Sequence, residues 1–126
     1  NPPDHNGFKI CLGRDALFGE QIQEIRKIAF SGEFATGAGQ IETLEILDDY
    51  VRELRARVTL GERKLKVVAD AGNGMGGVTA VPVYQKLGVE LVELFTEPDS
   101  NFPNHHPDPT VVENLTDLIE AVKKHE

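Results

Sequence analysis

The sequence predicts an α/β fold in which helices cover a parallel sheet. From Leu65 onward, short β-branched runs alternate with stretches of helical periodicity, in the order strand, helix, strand, helix, which is the grammar of βαβ units. A glycine-rich turn, Gly72 to Gly77, falls at the first strand-to-helix junction of that series, where the chain must bend tightly. The composition is that of a globular chain, with 126 residues, 40% of them hydrophobic and 27% charged. That is enough for one ordinary domain, or one small domain and part of another.

Each element follows from its pattern. Residues 1–7 hold Asn1-Pro2-Pro3-Asp4 and Asn6-Gly7, which is turn chemistry. Phe8, Ile10 and Leu12 alternate with Lys9 and Cys11 up to Gly13, predicting a short strand. Cys11 is expected to pack there as a small apolar residue. Ile22, Ile25, Ile28 and Ala29 recur at helical spacing between Gly19 and Phe30 and are expected to bury one face. Ser31 to Gln40, with three glycines and little apolar content, reads as a linker. Leu44, Leu47, Tyr50, Val51, Leu54 and Val58 mark a second helix ending near Gly61. Leu65 to Ala69 suits a buried strand. Val78 to Leu87 reads as a helix despite Pro82, and Val89 to Phe95 as the next strand. A polar loop, Thr96 to Pro109, leads to a helix face of Leu115, Leu118, Ile119 and Val122, with Thr110 and Glu113 spaced as a capping box.

Several function classes are disfavoured. The formal net charge of -8 argues against a nucleic-acid partner, which demands clustered Lys and Arg. No apolar run approaches the ~20 residues of a membrane-spanning helix. Cys11 is the single cysteine, so there is no disulfide framework, and a reducing cytoplasm is the expected location. The chain opens at Asn1 without methionine and stops at Glu126 behind an uncapped helical pattern. Both ends lead us to expect a piece of a longer protein.

Gly72-Asn73-Gly74-Met75-Gly76-Gly77 satisfies G-x-G-x-x-G between a strand and a helix, the fingerprint of a dinucleotide-binding turn, with Glu93 or Glu97 available as a ribose-binding acid. Asp70 and Pro82 count against that reading. A carboxylate two residues before Gly72 would repel a pyrophosphate, and Pro82 interrupts the phosphate-binding helix. A purely structural turn is the favoured alternative.

The opening, Asn1-Pro2-Pro3-Asp4-His5-Asn6-Gly7-Phe8-Lys9-Ile10, resembles the active-site segment of the phosphohexomutases: serine-histidine-asparagine-proline, then asparagine-glycine-x-lysine. Val67 to Gly77 and Asn101-Phe102-Pro103-Asn104-His105-His106-Pro107-Asp108-Pro109 are similar to the bacterial phosphomannomutase/phosphoglucomutase branch. The resemblance covers essentially the whole chain. It implies a three-layer α/β/α domain with a mainly parallel sheet, residues 41–126, preceded by a strand-helix remnant of a similar domain, residues 1–34. It also implies interconversion of hexose 1-phosphate and hexose 6-phosphate through a phosphoserine and a hexose 1,6-bisphosphate, with Mg2+ as cofactor. The expected partners are the hexose phosphate substrate and the remaining mutase domains. The serine would lie two residues before Asn1 and the metal loop after Glu126, so this chain alone is expected to be inactive.

By the same resemblance, Lys9 matches the lysine beside the phosphoserine, where an ammonium can stabilise transferring phosphoryl oxygens and exchange the hydroxyl proton. Asn1 matches the asparagine that shapes the serine loop. Without the motif, Lys9 would read as a solvated lysine on an edge strand. Asn6-Gly7 reads as the turn that aims Lys9. His5 falls at a variable position. His105 and His106, with Asp99 and Asp108 near, lack the spacing of a metal site; the loop's histidines and asparagine read as residues that hold it by hydrogen bonds. A non-catalytic interaction module with a mutase-like fold is the remaining alternative.

Overall fold

The computed structural model describes residues 4–125, which fall into two compact units, residues 4–43 and residues 44–125. In the first, β1 (Cys11–Leu12) pairs antiparallel with β2 (Asp15–Ala16). Gly13 has φ 66, a left-handed conformation that glycine adopts without steric cost, and it lets the chain reverse immediately. The strand expected over Phe8 to Gly13 is therefore only two residues long. With so short a ladder there is no covered face for Cys11, which is exposed rather than packed.

Helix α1 (Glu20–Ser31) stops at Gly32, whose φ of 70 forms a left-handed cap. Its apolar face stays open, contrary to the expected burial: Ile25 is 37% and Ile28 57% exposed. The hairpin it follows is too small to cover twelve helical residues. Residues 32–46 have no regular structure.

The second unit is a βαβ arrangement. Helix α2 (Leu47–Arg57) packs on α3 (Gly76–Leu87), and β3 (Lys66–Asp70) pairs in parallel with β4 (Glu90–Leu94). The register runs from Lys66 opposite Glu90 to Asp70 opposite Leu94. Val51 and Val81 are its buried apolar residues, one from each of the two packed helices. Pro82 lies inside α3 without ending it. A proline there removes one helix hydrogen bond, and the helix nevertheless runs on to Gly88, capped at φ 77.

A 3-10 turn, Val112–Leu115, leads into α4 (Thr116–His125), which packs on β3. The capping box expected of Thr110 and Glu113 does not form. The Thr110 hydroxyl donates to Asp108 instead, at 2.6 Å, because the 3-10 turn moves the start of the α-helix past Glu113. Lys66 closes the opposite end of the unit: its ammonium donates to the His125 carbonyl at 3.0 Å and lies 3.3 Å from Glu90. No helix among the described residues is long and apolar enough to cross a membrane.

Candidate functional site

In open α/β sheets, the loops beyond the carboxyl ends of the strands form the functional crevice. Here those loops are Ala71–Met75 after β3 and Phe95–Val111 after β4, and they are bound to each other. The Ala71 amide donates to the Leu94 carbonyl at 3.0 Å and the Asn73 amide to the Phe95 carbonyl at 2.8 Å. Asn73 is 7% exposed and has φ 57, in the left-handed region. Its side chain uses both ends: Nδ2 donates to the Glu97 carbonyl at 2.9 Å, and Oδ1 accepts from Asn104 Nδ2 at 2.7 Å.

Asp70 ends β3 with a carboxylate whose side chain is 6% exposed. Oδ1 accepts the Gly72 amide at 2.8 Å, and Oδ2 lies 3.0 Å from His105 Nε2. The other ring nitrogen, Nδ1, is 3.0 Å from the His106 carbonyl. A carbonyl and a carboxylate both accept, so the ring satisfies both only as an imidazolium. The His106 carbonyl first, and the Asp70 carboxylate after it, hold the His105 pKa above its ordinary 6.5, with burial acting the other way and Asp117 adding attraction. The Phe95 and His105 rings meet in a T-shaped pair, the centroids being 5.5 Å apart. A small cavity of ≈ 170 Å³ lies beside this pair, lined by Asp70, Gly72, His105, Pro107, Asn114 and Leu118.

This geometry decides between the two readings of the glycine turn. A phosphate cradle needs free amides aimed at the ligand. The first three amides of this turn are already engaged, Gly72 with Asp70, Asn73 with Phe95, and Gly74 with Ala71 at 2.8 Å. A Cβ on Gly72 would meet the His105 ring at 3.1 Å, and one on Gly77 would lie 1.7 Å from the Thr96 carbonyl oxygen. At Gly72 and Gly77 the glycines let protein approach protein, which favours the structural turn over the nucleotide reading.

Among the described residues no three His, Cys, Asp or Glu side chains are arranged to hold an ion. Asp99 accepts from Asn101, and Asp108 from Thr110. That pair of bonds to Thr110, hydroxyl first and amide second, holds the Asp108 pKa below its ordinary 3.8. The residues present do not fit the magnesium ion that the resemblance implies. Lys9 is exposed in the segment before β1, and Asn1 lies outside the described residues. Sequence reading found the loop as one held by hydrogen bonds but gave Asp70 no partner. The available signal was a carboxylate closing the apolar run Val67-Val68-Ala69.

The second unit is thus an α/β domain of the class that carries its working loops at the strand carboxyl ends. Residues 48–126 match the family "Phosphoglucomutase/phosphomannomutase, alpha/beta/alpha domain II". Over 98% of its length the chain is 45% identical to a phosphomannomutase/phosphoglucomutase of Pseudomonas aeruginosa and 48% identical to a phosphoglucomutase of Neisseria gonorrhoeae. It spans 26% and 27% of those two relatives. A crystal structure of a phosphoglucomutase/phosphomannomutase family protein from Burkholderia thailandensis superposes with TM-score 0.88 at 48% identity, over 98% of this chain and 27% of that one. The chain belongs to the phosphoglucomutase/phosphomannomutase family.

Proposed function

We propose that this chain is part of a phosphosugar mutase that interconverts hexose 1-phosphate and hexose 6-phosphate, with mannose and/or glucose as the sugar. The observation that carries the reading is identity of 45% to 48% along nearly the whole chain to relatives bearing mutase names. The reaction passes through a phosphoserine. Its phosphoryl group moves to the free hydroxyl of the sugar phosphate, giving a hexose 1,6-bisphosphate. That intermediate turns around and returns its other phosphoryl group to the serine.

In this reading Lys9 supplies an ammonium to the transferring phosphoryl oxygens and exchanges the hydroxyl proton. Asn1 shapes the serine loop. The glycine turn and the 95–111 loop do no chemistry and hold the strand ends of the second unit rigid. A bound magnesium ion would supply charge neutralisation at the phosphoryl group, and in this reading segments outside the described residues would hold it. The cytoplasm, where sugar phosphates and reduced cysteine coexist, is the proposed compartment.

The test is mutase assay of the full-length gene product with glucose and mannose 1-phosphates, alongside its intact mass before and after a hexose 1,6-bisphosphate. Turnover, with a gain of one phosphoryl group, is expected. A full-length product that neither turns over nor gains mass would sink the mutase reading, and turnover by these 126 residues alone would sink the assigned roles.

A further inference from the structure

The sequence holds two Asn-Gly pairs, Asn6-Gly7 and Asn73-Gly74, and the structure puts them in opposite circumstances. We propose that Asn6 is a site of spontaneous covalent modification, cyclising onto the Gly7 nitrogen to a succinimide that opens to aspartate and isoaspartate, while Asn73 is protected.

The chemistry needs the backbone nitrogen of the following residue to reach the asparagine Cγ. Asn6 and Gly7 are both exposed and lie in a segment without regular structure. The Gly7 amide donates to Asn6 Oδ1 at 2.9 Å, so the side-chain amide is folded back onto the following nitrogen, and no bond to another residue has to break before closure. Gly7 has no Cβ to obstruct closure, and it tolerates the backbone angles of the ring. Hydroxide takes the Gly7 amide proton, the nitrogen bonds to Cγ, and the Cγ–Nδ2 bond breaks. The amide leaves as ammonia, taking its third proton from water. A second water opens the ring at either carbonyl, leaving a carboxylate where an uncharged amide stood.

Asn73 has the same neighbour and none of this freedom. Its Nδ2 and Oδ1 are tied to the Glu97 carbonyl and to Asn104. The attacking nitrogen, on Gly74, is held at 2.8 Å to the Ala71 carbonyl. The residue is 7% exposed and fixed at φ 57. Cyclisation there requires local opening of both loops first. The remaining asparagines of the described residues, Asn101, Asn104 and Asn114, precede Phe, His and Leu, whose side chains hinder the approach that glycine leaves open.

The modification adds one negative charge to a chain already at -8, three residues before Lys9. The isoaspartate product also lengthens the backbone by one methylene on the segment that carries this lysine. The chemistry stands on exposure and geometry alone and does not depend on the mutase reading.

The experiment is incubation of the folded chain at mildly alkaline pH, with timed samples digested and the Asn6 and Asn73 peptides followed by mass spectrometry. A parallel sample is unfolded in urea. Conversion of amide to acid is expected at Asn6 in both samples, and at both sites in the unfolded one. In the folded chain Asn73 is expected to be at least about tenfold slower than Asn6, each tenfold corresponding to about 1.4 kcal/mol of local opening. Isoaspartate at Asn6 is confirmed by enzymatic methylation of that peptide, and Gly7→Val is expected to suppress it. Asn6 intact in the folded chain when the unfolded one has converted, or equal rates at the two sites in the folded chain, overturns the proposal.

Discussion

Replacing Gly77 by alanine tests the reading of the glycine turn as a packing device. The new Cβ would sit 1.7 Å from the Thr96 carbonyl oxygen and 2.6 Å from its carbon. Ordinary contact lies near 3.5 Å, so helix α3 and the end of β4 must part by roughly 1.5 to 2 Å. The obstacle is backbone, which no rotamer change relieves. That separation also pulls on the bonds from Ala71 to Leu94 and from Asn73 to Phe95. Overpacking typically costs about 1–3 kcal/mol, and an unyielding neighbour puts this case at about 3 kcal/mol or above. A unit of this size loses roughly 4–8 °C of melting temperature per kcal/mol, so a drop of more than about 12 °C is expected.

Urea denaturation followed by far-ultraviolet circular dichroism measures the change directly. Gly37→Ala and Gly39→Ala are the matched controls. Nothing lies within 4 Å of a Cβ at either position, and neither has a positive φ. They should leave stability unchanged or raise it by about 0.4–1 kcal/mol through the unfolded chain. A Gly77→Ala protein within about 0.5 kcal/mol of the parent, the range of an ordinary surface change, would refute the packing account. It would also return Gly77 to the ligand-cradle reading, in which alanine obstructs a ligand and spares the fold.

Three further outcomes are expected. The raised pKa of His105 means that its protonated form stabilises the fold, fully below the unfolded value of 6.5 and progressively less as pH climbs through the folded pKa. His105→Gln should flatten that alkaline limb, and loss of a charge-assisted bond should cost about 1.5–3 kcal/mol at pH 6; an unchanged pH–stability curve would remove the imidazolium. Asn104→Ala strands the buried Asn73 Oδ1 and should cost about 1–3 kcal/mol, measured by the same denaturation; a neutral result would mean that water replaces the amide. In the proposed full-length mutase, Lys9→Ala should lower kcat about a hundredfold or more, and an unchanged kcat would make Lys9 a solvated lysine.

The βαβ unit was legible in the sequence because its signals are local. Val67, Val68 and Ala69 run together, and the observed strand is Lys66–Asp70. Gly88 fixes the end of α3 by its positive φ. What was not legible depends on partners distant in sequence. Asp70 and His105 are 35 residues apart, so the charge at the end of β3 looked like a liability to an anion, and its actual cation was out of view. The periodicity of α1 likewise shows an apolar face and cannot say what covers it. Ile28 remains 57% exposed. The capping-box spacing of Thr110 and Glu113 was misleading because a nearer acceptor, Asp108, captures the threonine.

The same competition for partners governs what the second unit can contribute to chemistry. A loop rich in His, Asn and Asp at the carboxyl end of a parallel sheet invites assignment as a ligand site. Here Asn104 and His105 face the glycine turn, Asp99 binds Asn101, and Asp108 binds Thr110. Each of these bonds shortens the list of groups free to meet a substrate. His106, its ring set edge-on to Phe102, is exposed and is the loop histidine left facing solvent. A carboxylate such as Asp70, engaged by the Gly72 amide and the His105 ring, would have to give up one of those bonds to turn to a sugar hydroxyl. The polar composition of the loop is therefore consumed in fixing its shape.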